Sequence, residues 1–589
     1  MLEPRFRWTF PSPGVAPSPE LLDAGRALGL TERTTGLLVG RGVLDPTDLR
    51  AWFAEPLDAL HDPRLLPDAS VVLDRIERAR TAGETVMVFG DFDADGLTGL
   101  AILVHALRAL GIEATPYVPS RLDEGHGLSL AAVAAAQAAG VGLIVTVDCG
   151  TTSVAEIATA RERGIDVIVT DHHRVPAELP AATAIVNPHR PDATYPDRRL
   201  SGSGIAFKVA QLLLADRPGG AAAALALADL ATIGTVADVA PIVGENRAIA
   251  RLGLERLRTA PRPGIAALLE RARVTPADVD LETVAFALAP RLNAAGRVGE
   301  ALDAARLLLA VDAADAAAHA DALEAANLSR RDLMKTAVGE ARERLAGGAP
   351  DAAAGATIVR GPWAVGIVGL VAARLVEDHG RPAIVGAELG DVIRASCRSD
   401  GSLDLGAALA DCADLFLRHG GHAGAAGFEI PTDRWPAFVE RFGAIVARAG
   451  PPPDPRPTLR IELAVPALAV DYALHRELAA LAPHGPGNPD PLVAVLGLTV
   501  TRVRAAGTDH TQLTLKRRLD VLDGIAFGRP DLAAMVAVGD RIDVVARLAS
   551  RRFGGYESLQ LEVRDAAPAG AHDAHLPAPA DPTPIVVVA

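Results

Sequence analysis

Residues 85–110 of the chain read TVMVFGDFDADGLTGLAILVHALRAL. An apolar run, Val86-Met87-Val88-Phe89, leads into the cluster Asp91-Phe92-Asp93-Ala94-Asp95-Gly96, and an Ala/Leu-rich segment follows at 101–110. A short continuous apolar run is typical of a strand buried on both faces of a parallel sheet, and the segment after the aspartates is typical of a helix. The stretch therefore predicts a strand, a polar turn and a helix, in that order.

The same alternation recurs further along the chain. A second apolar strand is predicted at Leu143–Val147 with a helix at 154–163, and Asp166–Thr170 and Ala184–Val186 continue the pattern. Continuous apolar strands that alternate with helices predict a parallel sheet covered on both faces. The fold class is therefore α/β, with a doubly wound domain at this part of the chain.

Acidic and imidazole groups follow three of these predicted strands. The aspartate cluster comes after the first strand, Asp148 after the second, and Asp171-His172-His173 after the third. Because open parallel sheets bind their ligands at the carboxyl ends of the strands, we expect these side chains to meet at one edge. Asp238 follows another β-branched run and is the predicted closing ligand.

A group of carboxylates and imidazoles of this kind predicts a divalent metal centre. Clustered carboxylates repel one another unless cations neutralise them, and a carboxylate and imidazole set suits Mn²⁺ or Mg²⁺ better than structural zinc. Two such ions would clamp the attacking and leaving oxygens of a phosphoryl displacement and lower the pKa of a bridging water. The sequence therefore predicts a two-metal phosphoesterase.

The aspartate cluster has two simpler interpretations. Asp-x-Asp-x-Asp-Gly also opens a calcium-binding EF-hand loop, but the twelfth position counted from Asp91 is Ile102 instead of the bidentate Glu, and a strand precedes the cluster. An Asp after a strand is also a common turn residue or helix N-cap. Three such positions on consecutive strands, one followed by His-His, favour the metal centre.

Composition limits the class of protein and its compartment. The chain has 589 residues, 49% of them hydrophobic, so two to four domains are expected. With 58 basic and 73 acidic residues its net charge is −15, unlike the basic balance of many nucleic-acid binders, although a local basic channel can lie on an acidic protein.

Three cysteines without C-x-x-C spacing predict reduced cytoplasmic thiols. We expect no signal peptide, because residues 1–8 contain no continuous apolar stretch. We expect no membrane span, because Asp229 and Asp238 interrupt the most apolar segment.

Several motifs together resemble a known family. Residues 90–99, Val147-Asp148-Cys149-Gly150 and Thr170-Asp171-His172-His173 look like the first three motifs of the DHH phosphoesterase superfamily. The segments EGHGL (124–128), SGSGIAFK (201–208), ADVAP (237–241) and PRLNAAGR (290–297) are similar to its branch of bacterial single-strand-specific 5′ exonucleases. The resemblance runs from about residue 80 to about residue 565. It implies that five residues bind the metals, with His173 beside them supporting the reacting phosphate and Asp91 in a supporting place: Asp93, Asp95, Asp148, His172 and Asp238.

A second cluster, Gly420-Gly421-His422-Ala423-Gly424, lies in a later α/β unit. Small residues around one histidine let a phosphate approach backbone N–H groups, and the segment resembles the DHHA1 signature that contacts substrate. The resemblance also implies substrate binding by Ser396 and Arg398 and, by motif matching, by three more arginines: Arg121, Arg297 and Arg374. Ala364 departs from the family, which usually has a histidine there.

The remaining chain completes the predicted architecture. The domain boundaries are an N-terminal helical lead-in (1–80), a DHH catalytic domain (81–315), a connecting helix (316–346), a smaller α/β DHHA1 domain (347–450), a C-terminal OB-like β-barrel for single strands (456–565) and a disordered Pro/Ala-rich tail (566–589). Basic residues interleaved with aromatics in the barrel suit binding to single strands.

The resemblance implies a monomeric exonuclease that degrades single-stranded DNA from the 5′ end to 5′ mononucleotides in recombination and repair. It implies Mn²⁺ as the favoured ion, with Mg²⁺ as the alternative, and single-strand-binding protein and a RecQ-type helicase as partners. Two rival interpretations are a phosphodiesterase of short oligoribonucleotides or cyclic dinucleotides and a replication scaffold with a decayed site. The intact predicted ligands argue against the scaffold.

Overall fold

The computed structural model describes residues 2–10, 16–121, 124–347, 355–450, 456–553 and 556–572. The chain divides into two compact units, Met1–Phe53 with Asp454–Ala589, and Ala54–Pro453. The predicted lead-in is therefore shared, since residues 1–53 fold with the C-terminal part of the chain and 54–80 with the middle part. Residues 451–455, between the predicted DHHA1 domain and the predicted barrel, and the end of the predicted tail, 573–589, lie outside the described residues.

The larger unit begins with a five-stranded parallel sheet in the order β3-β2-β4-β5-β6. Four elements of the other unit precede it in the chain: β1 (Arg7–Thr9), α1 (Pro19–Ala27), α2 (Glu32–Gly40) and α3 (Pro46–Phe53). Those of the sheet region are α4 (Ala69–Ala82), β2 (Val86–Gly90), α5 (Ala94–Ala109), β3 (Ala114–Tyr117), α6 (Leu130–Ala138), β4 (Leu143–Val147), α7 (Val154–Glu162), β5 (Asp166–Thr170) and β6 (Ala184–Val186).

Helices cover both faces of this sheet, which confirms the doubly wound prediction. Apolar residues of α4 and α5 pack on one face, together with the helix at 202–214. Those of α6 and α7 pack on the other. Strands β2 and β4 are buried along their whole length, as the continuous apolar runs predict. Strand β3 was not predicted.

The strand register places the three aspartates in one row. Gly90 pairs with Val147, and Val147 pairs with Thr170, so β2, β4 and β5 end level with one another. The next residue of each strand donates its backbone N–H across the sheet, Asp91 to Val147, Asp148 to Thr170 and Asp171 to Val186. The sheet edge therefore carries the predicted acidic positions side by side.

A helical layer follows the sheet and ends in a 34-residue helix. Its members are α8 (Gly202–Leu214), α9 (Gly220–Leu225), α10 (Ala228–Ala237), α11 (Gly244–Thr259), α12 (Pro263–Ala272), α13 (Leu281–Thr283), α14 (Ala289–Val298), α15 (Ala301–Leu309) and α16 (Ala313–Ala346). Among the described residues one stretch, Gly220–Ala237, matches a membrane span in length and hydropathy, but 61% of it is buried inside the fold. Buried core helices of other proteins have the same length and hydropathy. In this protein the stretch consists of two separate helices, α9 and α10.

The second sheet has the order β10-β11-β9-β8-β7 and is parallel only between β7 and β8. Its elements are β7 (Thr357–Gly361), α17 (Val365–His379), β8 (Ala383–Leu389), β9 (Val392–Arg398), α18 (Leu405–Ala410), β10 (Arg418–Gly421), β11 (Ala425–Pro431) and α19 (Trp435–Ala449). Trp435, Phe438 and Phe442 of α19 pack into its core. This is the predicted smaller α/β part.

The other unit contains a closed β-barrel. Strands β14, β15, β16, β18 and β17 pair in that order, and β17 pairs back with β14. The elements are β12 (Thr458–Arg460), β13 (Leu463–Val465), α20 (Tyr472–Ala479), β14 (Val493–Ala506), β15 (His510–Arg517), β16 (Asp520–Ala526), α21 (Leu532–Met535), β17 (Arg541–Phe553) and β18 (Tyr556–Pro568). The predicted tail boundary at 565 cuts the last strand, because Ala566 and Ala567 are buried in it.

The N-terminal helices pack on this barrel. Leu21 and Leu38 share a core with barrel residues such as Val495 and Leu515, and β1 pairs with β12 in parallel. Asp565 accepts hydrogen bonds from the Phe6 backbone N–H and the Trp8 Nε1–H. The first 53 residues thus belong to the barrel's fold, which the sequence pattern does not indicate.

His105 gives the larger unit a predictable sensitivity to acid. Its Nε2 accepts a hydrogen bond from Arg262 Nη1 (3.2 Å), and burial together with the Arg262 charge lowers the pKa of His105 to about 4. Because the folded-state pKa lies below the unfolded value of about 6.5, the unfolded state takes up a proton first, and stability falls as the pH drops from about 6.5 towards 4.

We predict that His105→Gln, which keeps an acceptor for Arg262 but does not titrate, loses less stability on acidification than the parent. The free energy of unfolding is measured by urea denaturation at about pH 7.5 and about pH 5. Equal losses in both proteins would contradict the assignment.

Candidate metal centre and phosphate-binding groups

The aspartate cluster lies at the turn between β2 and α5. Asp93 is the N-cap of α5, and its Oδ1 accepts the backbone N–H groups of Asp95 (3.0 Å) and Gly96 (3.1 Å). The capping role and the predicted ligand role are compatible, because a carboxylate has a second oxygen to offer. Between the two aspartates, the Ala94 N–H donates to Asn293 Oδ1, which ties the turn to α14.

Asp95 is fixed from the opposite side by the start of α8. Its Oδ1 accepts from Ser201 Oγ (3.0 Å) and the Ser203 N–H (2.9 Å), and its Oδ2 accepts from the Gly202 N–H (2.7 Å). The N-terminus of a helix stabilises a carboxylate through these N–H groups and the helix dipole. The SGSG segment at 201–204 therefore positions Asp95, a role the sequence did not reveal.

Asp148 follows β4 with a φ of 61°, in the left-handed region. Its Oδ1 lies 3.0 Å from His172 Nε2; the Asp148 side chain is buried, and the His172 side chain is 16% exposed. A Cβ added to Gly202 would lie 2.5 Å from the Asp148 Cβ, so only glycine fits opposite this aspartate. The close approach of α8 sets the position of Asp148.

The three residues Asp171, His172 and His173 have different roles. Asp171 accepts from the Thr151 N–H (3.0 Å), the His173 N–H (3.0 Å) and His173 Nδ1 (2.8 Å). Burial acts against the Asp171 charge, but the hydrogen bonds from His173 outweigh it and lower the pKa of Asp171. The hydrogen bond to Asp171 raises the pKa of His173 to about 9. Asp171 thus orients His173. His172 lies nearest to Asp148, at 3.0 Å, and His173 Nδ1 is also 3.9 Å from Asp148 Oδ1.

Asp238 completes the group, but from a helix. It is the C-cap residue of α10, so the β-branched run before it is helical. The run packs in the core between α5, α8 and α11, where tertiary contacts override β propensity. Asp238 Oδ2 lies 3.9 Å from His172 Nδ1, and Asp95 Oδ2 lies 4.0 Å from His172 Nε2.

These residues fit a divalent cation. Three sets place one ligand atom each within 4.8 Å of one another: Asp91, Asp93 and Asp148; Asp95, His172 and Asp238; and Asp148, His172 and His173. Asp148 Oδ1 and His172 Nε2, though 3.0 Å apart, are buried without a hydrogen bond, as is Asp91 Oδ1. Buried polar atoms left without partners that converge on one space fit a bound cation.

The electrostatics support the same interpretation. Burial, then the charges of neighbouring aspartates, raises the pKa of Asp93 to about 6 and that of Asp238 to about 8, and raises the pKa of Asp148 well above its usual range. Burial lowers the pKa of His172. The fold thus keeps several carboxylates so close together that the negative charge of each makes ionisation of the others less favourable. Bound cations would offset this free-energy cost.

Asp91 also contacts His126. Its Oδ2 lies 3.2 Å from His126 Nδ1, and the His126 ring packs on Phe92 at a centroid distance of 4.4 Å. One of the three sets of ligand atoms includes Asp91, so Asp91 is also placed where it could bind a cation. Its role as a support and not a ligand is therefore still a prediction.

Three of the predicted arginines converge near the metal centre. The Arg121 guanidinium lies 4.7 Å above the Phe92 ring, and Arg297 Nη1 donates to the Gly366 carbonyl (3.0 Å). Arg398 Nη1 donates to Ser396 Oγ (3.1 Å). Burial, then the charges of Arg121 and other arginines including Arg398, lowers the pKa of Arg297 to about 10. We call Arg121, Arg297 and Arg398 the arginine group; within the described residues none of them has a carboxylate partner.

The glycine-rich segment lies at the same end of the second sheet as Ser396 and Arg398. Gly421 pairs with Ala426, Arg398 pairs with Ala425, and the Ser399 N–H donates to the Gly424 carbonyl (3.0 Å). Gly421 has a φ of 137°, and exposed His422 accepts the Gly424 N–H at Nδ1 (3.2 Å).

Arg374 differs from the arginine group. On α17 its guanidinium pairs with Glu377 (2.9 Å) and Asp378 (3.3 Å) of the same helix. Its charge is therefore already balanced, and its substrate role stays a prediction.

Some residues that organise the centre were missed at the sequence level. Ser201 and Asn293 stand in quoted motifs without a role, and Asp171 was expected at the acidic edge but not as the partner that orients His173. The signal that could have found Ser201 is its position directly before an apolar helix, where serine is a common N-cap. Phe92, the platform for Arg121, gives no such signal.

Comparisons with known proteins agree with this architecture. Family models match residues 85–235 (DHH family, N-terminal domain), 353–448 (DHHA1 domain) and 461–565 (RecJ OB domain). The fold and the site thus define a DHH-type protein with a DHHA1 domain and an OB barrel.

The relatives narrow this class. The chain is 34% identical to the single-stranded-DNA-specific exonuclease RecJ of Bacillus subtilis, over 96% of this chain and 71% of the relative. It is 36% identical to that of Escherichia coli, over 81% and 86%. The crystal structure of RecJ from Thermus thermophilus in complex with Mn²⁺ has a TM-score of 0.80 and 32% identity, over 96% of this chain and 80% of that one. The chain belongs to the RecJ family.

Proposed function

We propose that the protein is a metal-dependent exonuclease that degrades single-stranded DNA from the 5′ end to 5′ mononucleotides. The observation that carries the proposal is the set of buried, unbonded ligand atoms of Asp148, His172 and Asp91 at the sheet edge, in a chain whose relatives are single-stranded-DNA-specific exonucleases. The related RecJ structures from Thermus thermophilus were solved with Mn²⁺ and with Mg²⁺. We propose two divalent cations here, with Mn²⁺ favoured.

Five side chains would hold the cations: Asp93, Asp95, Asp148, His172 and Asp238. When bound, divalent cations neutralise the phosphate charge and supply an activated water. The protein's own contribution is rigidity, because Asp95 is clamped by α8, Asp93 by the first turn of α5, and Asp148 by its strained backbone. Positioning of this kind sets the rate of phosphoryl transfer as much as charge does.

His173 and the arginine group would hold the phosphates. His173 uses Nδ1 to bind Asp171, and its other nitrogen has no hydrogen-bond partner within the described residues. Arg121, Arg297 and Arg398 offer guanidinium forks that match phosphate oxygens. Ser396, Gly421, His422 and Gly424 line the same end of the second sheet and would contact the substrate there.

The decisive assay mixes the purified full-length protein and Mn²⁺ with single strands labelled at the 5′ or the 3′ end, beside duplex DNA and RNA. We expect early release of the 5′ label as a mononucleotide and no activity in EDTA. Release of the 3′ label first, or no release, would refute the proposal. A preference for dinucleotides over long strands would favour the phosphodiesterase alternative.

The monomeric state and the partnership with single-strand-binding protein and a RecQ-type helicase are proposed from the family resemblance, and the cytoplasmic location from the three cysteines without C-x-x-C spacing. Co-sedimentation of the purified proteins would test the two partnerships.

Gly202 offers a test of how closely the metal ligands must be placed. An alanine Cβ at this position would lie 2.5 Å from the Asp148 Cβ, so Asp148 must move. Because small misplacements of reacting groups are costly, we predict that Gly202→Ala lowers exonuclease activity about a hundredfold. The matched control is Gly204→Ala on the same helix, whose Cβ would meet Leu200 at an ordinary 3.5 Å. Similar activity of the two variants would contradict the prediction.

A further inference from the structure

Arg330, on the connecting helix α16, has the features of a binding residue and had no predicted role. Its Nη2 donates to Asn327 Oδ1 (3.0 Å), one turn earlier, and Asn327 is buried. The Arg330 Nε is buried without an acceptor. Within the described parts of the chain no carboxylate lies within ion-pair distance of this guanidinium. A cation held in place in this way lacks the anion that would balance it.

The position of α16 brings Arg330 towards the arginine group. Helices α14 and α16 pack together, and Arg291 on α14 pairs with Glu324 on α16 (2.5 Å). A Cβ on Gly299, at the end of α14, would lie 3.7 Å from the Ala326 Cβ. After burial, the charges that lower the pKa of Arg297 include those of Arg121, Arg330 and Arg398. Arg330 thus adds a fourth guanidinium near Arg297.

Two other arginines on or beside α16 do form ion pairs with carboxylates. Arg342 is paired with Asp378 of α17, and Arg291 of α14 finds Glu324. Within the described residues, Arg330 and the arginine group have no carboxylate at ion-pair distance, and a polyanion would satisfy several such cations at once. The common ligand chemistry of a guanidinium series is a row of phosphates.

We propose that Arg330 binds a backbone phosphate of the DNA strand beyond the phosphate that is cut. The inference rests on the proposed function and extends it, because it assigns the connecting helix to the path of the strand. The strand would pass from the metal centre along Arg297 to Arg330. Long strands would therefore bind better than very short ones.

The test compares Arg330→Gln with the parent on a single-stranded oligonucleotide with Mn²⁺. Losing one charge-assisted contact should raise KM about tenfold with little change in kcat. The plot of log(kcat/KM) against log salt should become shallower by about 0.7, the value for one phosphate contact on a single strand. Arg330→Lys should keep the salt dependence, and Arg342→Gln on the same helix is the matched control.

Unchanged KM and salt dependence in Arg330→Gln would overturn the inference while leaving the proposed function intact. A fall in kcat without a change in KM, together with a lower urea midpoint, would also overturn the inference, because that pattern indicates a structural role for Arg330. If the parent protein releases no nucleotide from single strands, the proposed function fails instead.

Discussion

Asp148→Asn is expected to abolish exonuclease activity, by roughly a thousandfold or more, and at the same time to make the metal-free protein harder to unfold. The loss follows from removing a charged ligand from the metal centre, where several kcal/mol of transition-state stabilisation originate. Asparagine is the right replacement because Asp148 has a φ of 61°, a region that asparagine tolerates better than alanine.

The gain in stability follows from the sign of the pKa shift. Burial raises the pKa of Asp148 well above its usual range, and the charges of Asp95, Asp93 and Asp91 add to this. An acid whose folded-state pKa is raised destabilises the folded protein increasingly as the pH rises from the unfolded pKa to the folded one. A neutral amide removes this cost at neutral pH, so the melting temperature in EDTA should rise.

Thermal unfolding with and without Mn²⁺ checks both halves of the prediction. The parent should be stabilised by Mn²⁺, by about 2.7 kcal/mol at a hundred times the dissociation constant, and Asp148→Asn much less. Asp321→Asn, an exposed aspartate on α16, is the control and should behave as the parent. An active Asp148→Asn protein would remove Asp148 from the ligand set.

Lys208→Met is expected to destabilise the larger unit by about 3–5 kcal/mol, the cost of leaving one member of a buried ion pair alone. Lys208 and Glu245 are both fully buried, with Nζ 2.9 Å from Oε1. Lys208 also donates to the His61 carbonyl, and Glu245 accepts from the His61 N–H and the Tyr195 hydroxyl. The network ties α8 and α11 to the segment before α4.

Urea denaturation of the metal-free protein measures this effect. The double variant Lys208→Met/Glu245→Gln should be less damaged than the sum of the single variants, because no uncompensated charge remains. The solvent-exposed pair Arg80 and Glu77 provides the comparison, and Arg80→Gln should change the urea midpoint little, because water screens such a pair. A Lys208→Met protein as stable as Arg80→Gln would contradict the assignment of a buried pair.

Much of the centre was predictable from local sequence because it lies in short stretches at strand ends. The apolar runs of β2, β4 and β5 fix their pairing in a parallel sheet, and the residue after each strand then falls at the same edge. The predicted cluster of Asp93, Asp95, Asp148 and His172 needs little more than this geometry.

Other features depend on contacts between residues distant in the chain. Asp238 reaches the centre from a helix end, although its β-branched neighbours favour a strand, because α10 is buried between other helices. The first 53 residues read as a lead-in, yet their leucines complete the barrel core.

The fold class, the acidic sheet edge and the family could be predicted from the sequence, because hydrophobic periodicity and motif spacing are local properties of the chain. The clamping of Asp95 by α8 and the need for glycine beside Asp148 could be seen in the three-dimensional fold alone. Both depend on packing between elements that are distant in the chain, such as Asp95 and Ser203, which are 108 residues apart, and no local sequence pattern encodes the distance between two such side chains.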